Sequence, residues 1–324
     1  MAETLNISLQ VLQSLPLEEQ VRNKTMIFLQ RMILCLNRDK VLVLLPQFLH
    51  TLIGNCTAED VINVSQLLNQ ICTKYKRDGA TNIDGAFTPF IQKCQSLIHS
   101  LQEEIPNPAQ HHADKYENKH APQILSHIEI ETLSIRKLIY SLIHHIVSNH
   151  ISYVLLSPSN LPNLEDILKL LHAGAIEVKD SGIMKSSIIC FKELMVEWGN
   201  DDVMKNGDFV NLGCKPDQYR VVQNGLIFFI FQQVLPGLMK CILNPSFRVT
   251  DAMNARNLNE IALLILKVKQ LHGLNDFENY FISQTLVNLN CPNAILVNFR
   301  EANEVQNVRK CMINLKSALK PITT

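Results

Sequence analysis

Val61, Val64, Leu68, Ile71 and Tyr75 recur at intervals of 3, 4, 3 and 4 residues. That spacing lines one face of a 3.6-residue helix. The same pattern extends over Met26 to Arg77, which reads as three short helices joined by tight turns. The first, Met26 to Leu36, is apolar nearly all round, which predicts burial on every side. The second, Val41 to Ile53, carries Pro46 after two leucines, and Gly54 and Asn55 suit its end. The third is predicted to be capped by Thr57, with Glu59 and Asp60 facing the positive end of the helix dipole. Short paired helices of this kind build either a helical-repeat solenoid or an ordinary helical bundle, and periodicity alone supports both.

Composition narrows the class. A chain of 324 residues with 47% apolar side chains can bury a continuous core. Only 6% of residues are aromatic and only 11 are glycine, which argues against a turn-rich β fold. Lys and Arg total 30, as do Asp and Glu, so any polyanion site must be a local patch. The nine cysteines include no CxxC pair and sit mostly among apolar residues, which predicts buried, reduced thiols. The opening MAETLNISLQVLQ lacks a basic n-region, so no secretory signal is read there. The strongest apolar runs, Leu226 to Phe231 and Ile261 to Val268, fall well short of the roughly 18 residues a membrane span needs. No membrane insertion is expected.

The expected architecture is all-α, about a dozen helices with no convincing strand. Residues 1–102 form helical repeats. Residues 103–122, EEIPNPAQHHADKYENKHAP, form an exposed flexible loop with three prolines. Residues 123–324 continue the repeats as one solenoid. His111, His112 and His120 lie in the loop, where solvation is the plainer reading than metal binding. Asp78 to Asp84 is expected to be a polar turn, with Pro89 in the first turn of the helix after it. Pro236 is expected to break the apolar stretch Gln218 to Leu243, and Asn275 with Glu278 reads as a capping box. Pro46 and Pro89 are 43 residues apart, within the roughly 40–47 period of HEAT and armadillo arrays.

Catalytic signatures are missing from the sequence. It contains no Walker loop, GxGxxG, GxSxG or zinc-spaced Cys/His set, so neither enzyme chemistry nor a cofactor is expected. Trp198, at the end of an amphipathic helix, reads as a core residue. Two basic groups stand out. Lys74, Lys76 and Arg77 sit at a helix end, and Arg136 and Lys137 lie beside the apolar stripe of a long helix from about Gln123 to Asn149. A solvated face is the plain reading of both; a basic inner surface is the functional one. The final helix also carries Arg309, Lys310, Lys316 and Lys320.

The segment Phe28 to Lys76 resembles the exportin-T family, the tRNA exportins. The likeness lies in the Phe-Leu-x-Arg-Met-Ile-x-Cys-Leu opening (Phe28 to Leu36), in Ala58-Glu59-Asp60, and in Leu67, Asn69, Gln70, Ile71 and Lys74. Val178 to Gly199, ending Val196-Glu197-Trp198-Gly199, is similar to a second family helix, one residue shorter. The long helix with Arg136 and Lys137 is a third, weaker likeness. The resemblance implies a karyopherin-β protein built as a HEAT-repeat α-solenoid. It implies binding of tRNA together with Ran-GTP, contact with nuclear pore proteins, and shuttling between nucleus and cytoplasm without catalysis. It places this chain in the carboxy-terminal part of such a receptor, with no counterpart of the arch that grips Ran. In that setting Lys74, Lys76, Arg77, Arg136 and Lys137 are the candidate phosphate contacts. The alternative is a HEAT scaffold that binds only proteins, or the tail of another exportin or importin without RNA binding.

Overall fold

The structure, a computed structural model, describes residues 2–36, 41–103, 121–199 and 207–319. Among these, every regular element is helical. The chain divides into two compact units, Met1–Val154 and Leu155–Thr324.

The first unit contains α1 (Ala2–Ser14), α2 (Glu19–Cys35), α3 (Leu45–Asn55), α4 (Val61–Tyr75), α5 (Ala80–Glu103) and α6 (Ala121–Ser148). These helices form two layers. In one, α1 packs on α3 and α3 on α5; in the other, α2 packs on α4 and α4 on α6. This is HEAT-type stacking of helix pairs, in which each helix buries its stripe against the partner layer and its neighbours. Val61, Val64, Leu68, Ile71 and Tyr75 are all buried, as their spacing requires.

The register between α2 and α4 is set by polar contacts. Arg22 Nε donates to Asp60 Oδ2 at 2.6 Å, and Arg22 Nη1 donates to the Pro16 carbonyl at 3.1 Å. Asn63 Nδ2 donates to Asn23 Oδ1 at 3.3 Å. The Tyr75 hydroxyl approaches the Ile33 carbonyl at the other end. Early residues of α2 therefore meet early residues of α4, and late meet late, so the two helices run parallel.

Several local expectations are corrected by these contacts. Thr57 does not cap α4. Its N–H and hydroxyl both donate to Asp60 Oδ1, and the other oxygen of that carboxylate takes Arg22. Asp60 is thus the buried half of an ion pair rather than an exposed first-turn acid; the two side chains are 3% and 1% exposed. The turn after α4 is only Lys76–Gly79, and α5 already begins at Ala80. Lys76 takes φ 47°, and a Cβ on Gly79 would stand 2.9 Å from Ile71 Cγ2. The chain therefore reverses within four residues, and Pro89 falls inside α5 rather than in its first turn. Pro46 lies in the first turn of α3, where its missing N–H costs nothing. The run Met26 to Leu36 is not buried all round: Ile27 is 45% and Leu34 60% exposed. Residues 104–120 of the expected loop, including His111, His112 and His120, lie outside the described residues.

The second unit contains α7 (Leu164–Ala175), α8 (Ser181–Trp198), α9 (Pro216–Phe229), α10 (Leu235–Leu243), α11 (Ala252–Asp276), α12 (Asn293–Glu301) and α13 (Val305–Ala318), with a one-turn helix at Gly207–Asn211. Its main layer stacks α8 on α11 and α11 on α13. Asp180 caps α8 by accepting from the N–H groups of Gly182 and Ile183, and Asp251 caps α11 through Met253 and Asn254. Trp198 is fully buried, and its carbonyl accepts the Tyr219 hydroxyl at 3.0 Å.

Pro236 does not break Gln218 to Leu243. A π-helical turn, Ile230–Val234, joins α9 to α10, so Pro216–Leu243 is one 28-residue helical stretch. It is the one described helix long and apolar enough to cross a membrane, which counting uninterrupted runs did not reveal; a little over half of its most apolar window is buried inside the protein. The Asn275–Glu278 capping box does not form either. The helix breaks at Gly273, φ 76°, a π-helical segment Phe277–Leu286 follows, and Glu278 instead holds Arg300 through both carboxylate oxygens.

Candidate nucleic-acid interface

Of the five basic residues singled out from the sequence, Lys74, Arg136 and Lys137 fall in the α2/α4/α6 layer of the first unit, and Lys76 and Arg77 in the turn that leads from that layer to α5. Lys74 ends α4, Lys76 and Arg77 form the turn after it, and all three are exposed. Arg136 and Lys137 are exposed in the middle of α6. The two groups share one layer because α4 packs on α6, where Asn69 Nδ2 donates to Ser141 Oγ at 3.0 Å. Lys74 is five residues after Asn69, and Arg136 five before Ser141. Each is therefore roughly 7 Å of helix rise from that bridge.

Sequence reading missed Arg31. It stands in α2 between Asn23 and Ile33, both of which contact α4, so the parallel register carries Arg31 alongside the second half of α4. It is exposed and extends the Lys74, Lys76 and Arg77 group across a second helix. Lys24, one residue after the Asn23 contact, is exposed on the same helix. No local signal marks either residue, because the neighbour is 40 residues away in the chain.

The opposite layer carries a different charge. On α1, α3 and α5 the acidic residues are Glu3, Asp84 and Glu103, against Lys93 alone. The basic layer has acids of its own, Glu19 at the start of α2, Asp78 in the turn and Glu129 and Glu131 on α6. It also exposes apolar side chains, with Ile130 at 63% and Leu133 at 40%.

In the second unit the lysines have more structural roles. Lys192 lies 3.4 Å from both Glu193 and Glu260. Lys316 Nζ donates to the carbonyls of Ile242 and Asn244, closing the carboxyl end of α10. Lys269 Nζ donates to the carbonyls of Arg300 and Ala302 and so closes α12. Burial pulls both ammonium groups below the usual lysine range. Arg309 and Lys310 remain near the surface, and Lys320 lies outside the described residues.

The thiols are buried apart from Cys35, and all nine are free. Burial raises Cys56 to about 11 and Cys72 and Cys94 to about 12, well away from nucleophile chemistry at neutral pH. Among the described residues, no group of His, Cys, Asp and Glu is placed to hold a metal ion.

Stacked helix pairs of this kind define a helical-repeat protein. The family model of Exportin-T matches residues 1–105 and 127–320, and the chain belongs to that family. It is 26% identical to Exportin-T of Danio rerio over 78% of its length, and 26% identical to Exportin-T of Oryza sativa over 86%. The match to Exportin-T of Dictyostelium discoideum, 23% identical, covers 99% of this chain. The chain spans about a quarter of each of these relatives, 22%, 25% and 27% respectively. No solved structure matches it.

Proposed function

We propose that this chain is the carboxy-terminal part of a nuclear export receptor. It binds tRNA together with Ran-GTP, contacts nuclear pore proteins and moves between nucleus and cytoplasm, without catalysis. The observation that carries the reading, given membership of the Exportin-T family, is the segregation of basic side chains onto the α2/α4/α6 layer. Arg31, Lys74, Lys76 and Arg77, with Arg136 and Lys137, contact phosphate and sugar there. The fold of the RNA is read by shape rather than base sequence.

The test is tRNA binding by the purified chain, with and without Ran-GTP, over a salt series. Binding that weakens steeply with salt and prefers folded tRNA to unstructured RNA supports the proposal. Absence of binding under both conditions, from a well-folded sample, overturns it for this chain. A second reading, a scaffold for protein partners, is favoured by Ile27, Leu34, Ile130 and Leu133, which are exposed on that layer and which a phosphate backbone has no use for. Specific capture of a protein partner on a face that ignores RNA would decide for it.

A further inference from the structure

Two π-helical segments meet in the second unit. Ile230–Val234 lies between α9 and α10, and Phe277–Leu286 follows the break at Gly273. Such segments are rare and are found frequently at functional sites. They touch through Phe231 and Tyr280, with ring centroids 5.4 Å apart, and through a 3.3 Å hydrogen bond from Gln232 Nε2 to Gln284 Oε1. Pro236 brings no N–H to the turn before it, and Gly273 supplies a left-handed residue that only glycine adopts at no cost. Both partners of this joint are therefore held less firmly by their own backbones than ordinary helix is.

A histidine flanks each side. His172, on α7, sets its ring edge-to-face on Phe229 at 5.9 Å. Its Nε2 is buried without a hydrogen-bond partner and points at Gly237, where an added Cβ would come within 2.7 Å. The other ring nitrogen is left for the Gln233 backbone. His272, the residue before Gly273, lies edge-on to Phe231 at 6.3 Å, and its Nε2 is likewise buried and unpartnered. The charged group acting on His272 is Asp276, which favours the protonated ring. The other neighbours named here, Phe229, Gly237 and Ile176 around His172 and Phe231 beside His272, carry no charge.

We infer that this joint is a proton-operated hinge, in which charging His172 and His272 releases Ile230–Val234 from Phe277–Leu286. A neutral ring tolerates an idle Nε2 lone pair at modest cost. A charged ring puts an N–H donor in the same place, with nothing to accept it, inside a largely apolar contact. The open form, in which the rings reach water, is therefore favoured as pH falls. Burial holds both rings below the ordinary histidine range, in the same sense.

Hydrogen exchange on the full chain at about pH 7.5 and about pH 5.5, corrected for intrinsic rates, tests this. Exchange in residues 226–243 and 273–290 is expected to quicken several-fold at the lower pH relative to α4, and to lose that response in H172Q/H272Q. No selective change, or one that persists in the double variant, overturns the hinge. If that variant does not fold, histidine NMR on the unaltered chain decides. The two rings and the amides of both π segments should titrate together, below the ordinary histidine value of about 6.5. Amides that follow any other midpoint overturn it.

Discussion

Arg22 and Asp60 show what a single residue pair decides in this protein. The arginine ties α2 to α4 and to the Pro16 carbonyl, while the aspartate also organises the turn at Thr57. Replacing one partner leaves the other charge buried. Arg22→Met is therefore expected to cost about 3–5 kcal/mol of unfolding free energy in urea titration, far more than an exposed pair would. Lys269→Met should cost about 1.5–3 kcal/mol in the same experiment, because the carbonyls of Arg300 and Ala302 at the end of α12, the second of them buried, are deprived of a charged donor. Histidine acts in the opposite direction. His172 and His272 have folded-state pKa values below the unfolded value of about 6.5. Their stability contribution is complete above that value and is lost as pH falls toward the folded one. The thermal midpoint should accordingly fall less steeply with acid in H172Q/H272Q than in the unaltered chain.

At the scale of elements, helix positions were legible because the apolar stripes repeat at 3 and 4. Their joints were less so. The reversal between α4 and α5 takes four residues, since Gly79 lets the backbone lie against Ile71. Gly79→Ala should cost about 1–3 kcal/mol by overpacking that contact, measurable by calorimetry against Gly54→Ala, where an added Cβ meets nothing within 4 Å. Pro236 has the local character of a helix breaker, yet it follows a π turn that keeps the helix continuous. A proline rule states what an α-helix loses, not whether a wider turn can absorb the loss. Glu278 has the spacing of a capping-box residue and instead holds Arg300, 22 residues away, a partner no local motif names.

Across the molecule, the prediction concerns layers rather than single charges. In K74E/K76E/R77E, tRNA affinity and its salt slope should both drop, the slope by roughly one for each phosphate no longer neutralised. K93E, on the α1/α3/α5 layer, should leave both unchanged. Equal losses from the two variants in a filter-binding salt series would refute a layer-specific interface. Adding R31E should deepen the first loss, because the parallel register of α2 and α4 brings Arg31 alongside the same group.

By itself, the sequence determined that this protein is built of helices, roughly where each begins and ends, that its thiols are mostly buried, and which family it resembles. The first three follow from near-neighbour spacing and composition, which survive without knowledge of packing; the likeness rests on particular residues, above all those of Phe28 to Lys76. Only the tertiary structure decided which helices share a layer, that Asp60 is buried against Arg22, that Ile27 and Leu34 face outward, and that Arg31 lies alongside the second half of α4. A helical period says which face is apolar. It does not say which of a dozen other faces will cover it, and every one of those pairings joins residues dozens of positions apart in the chain.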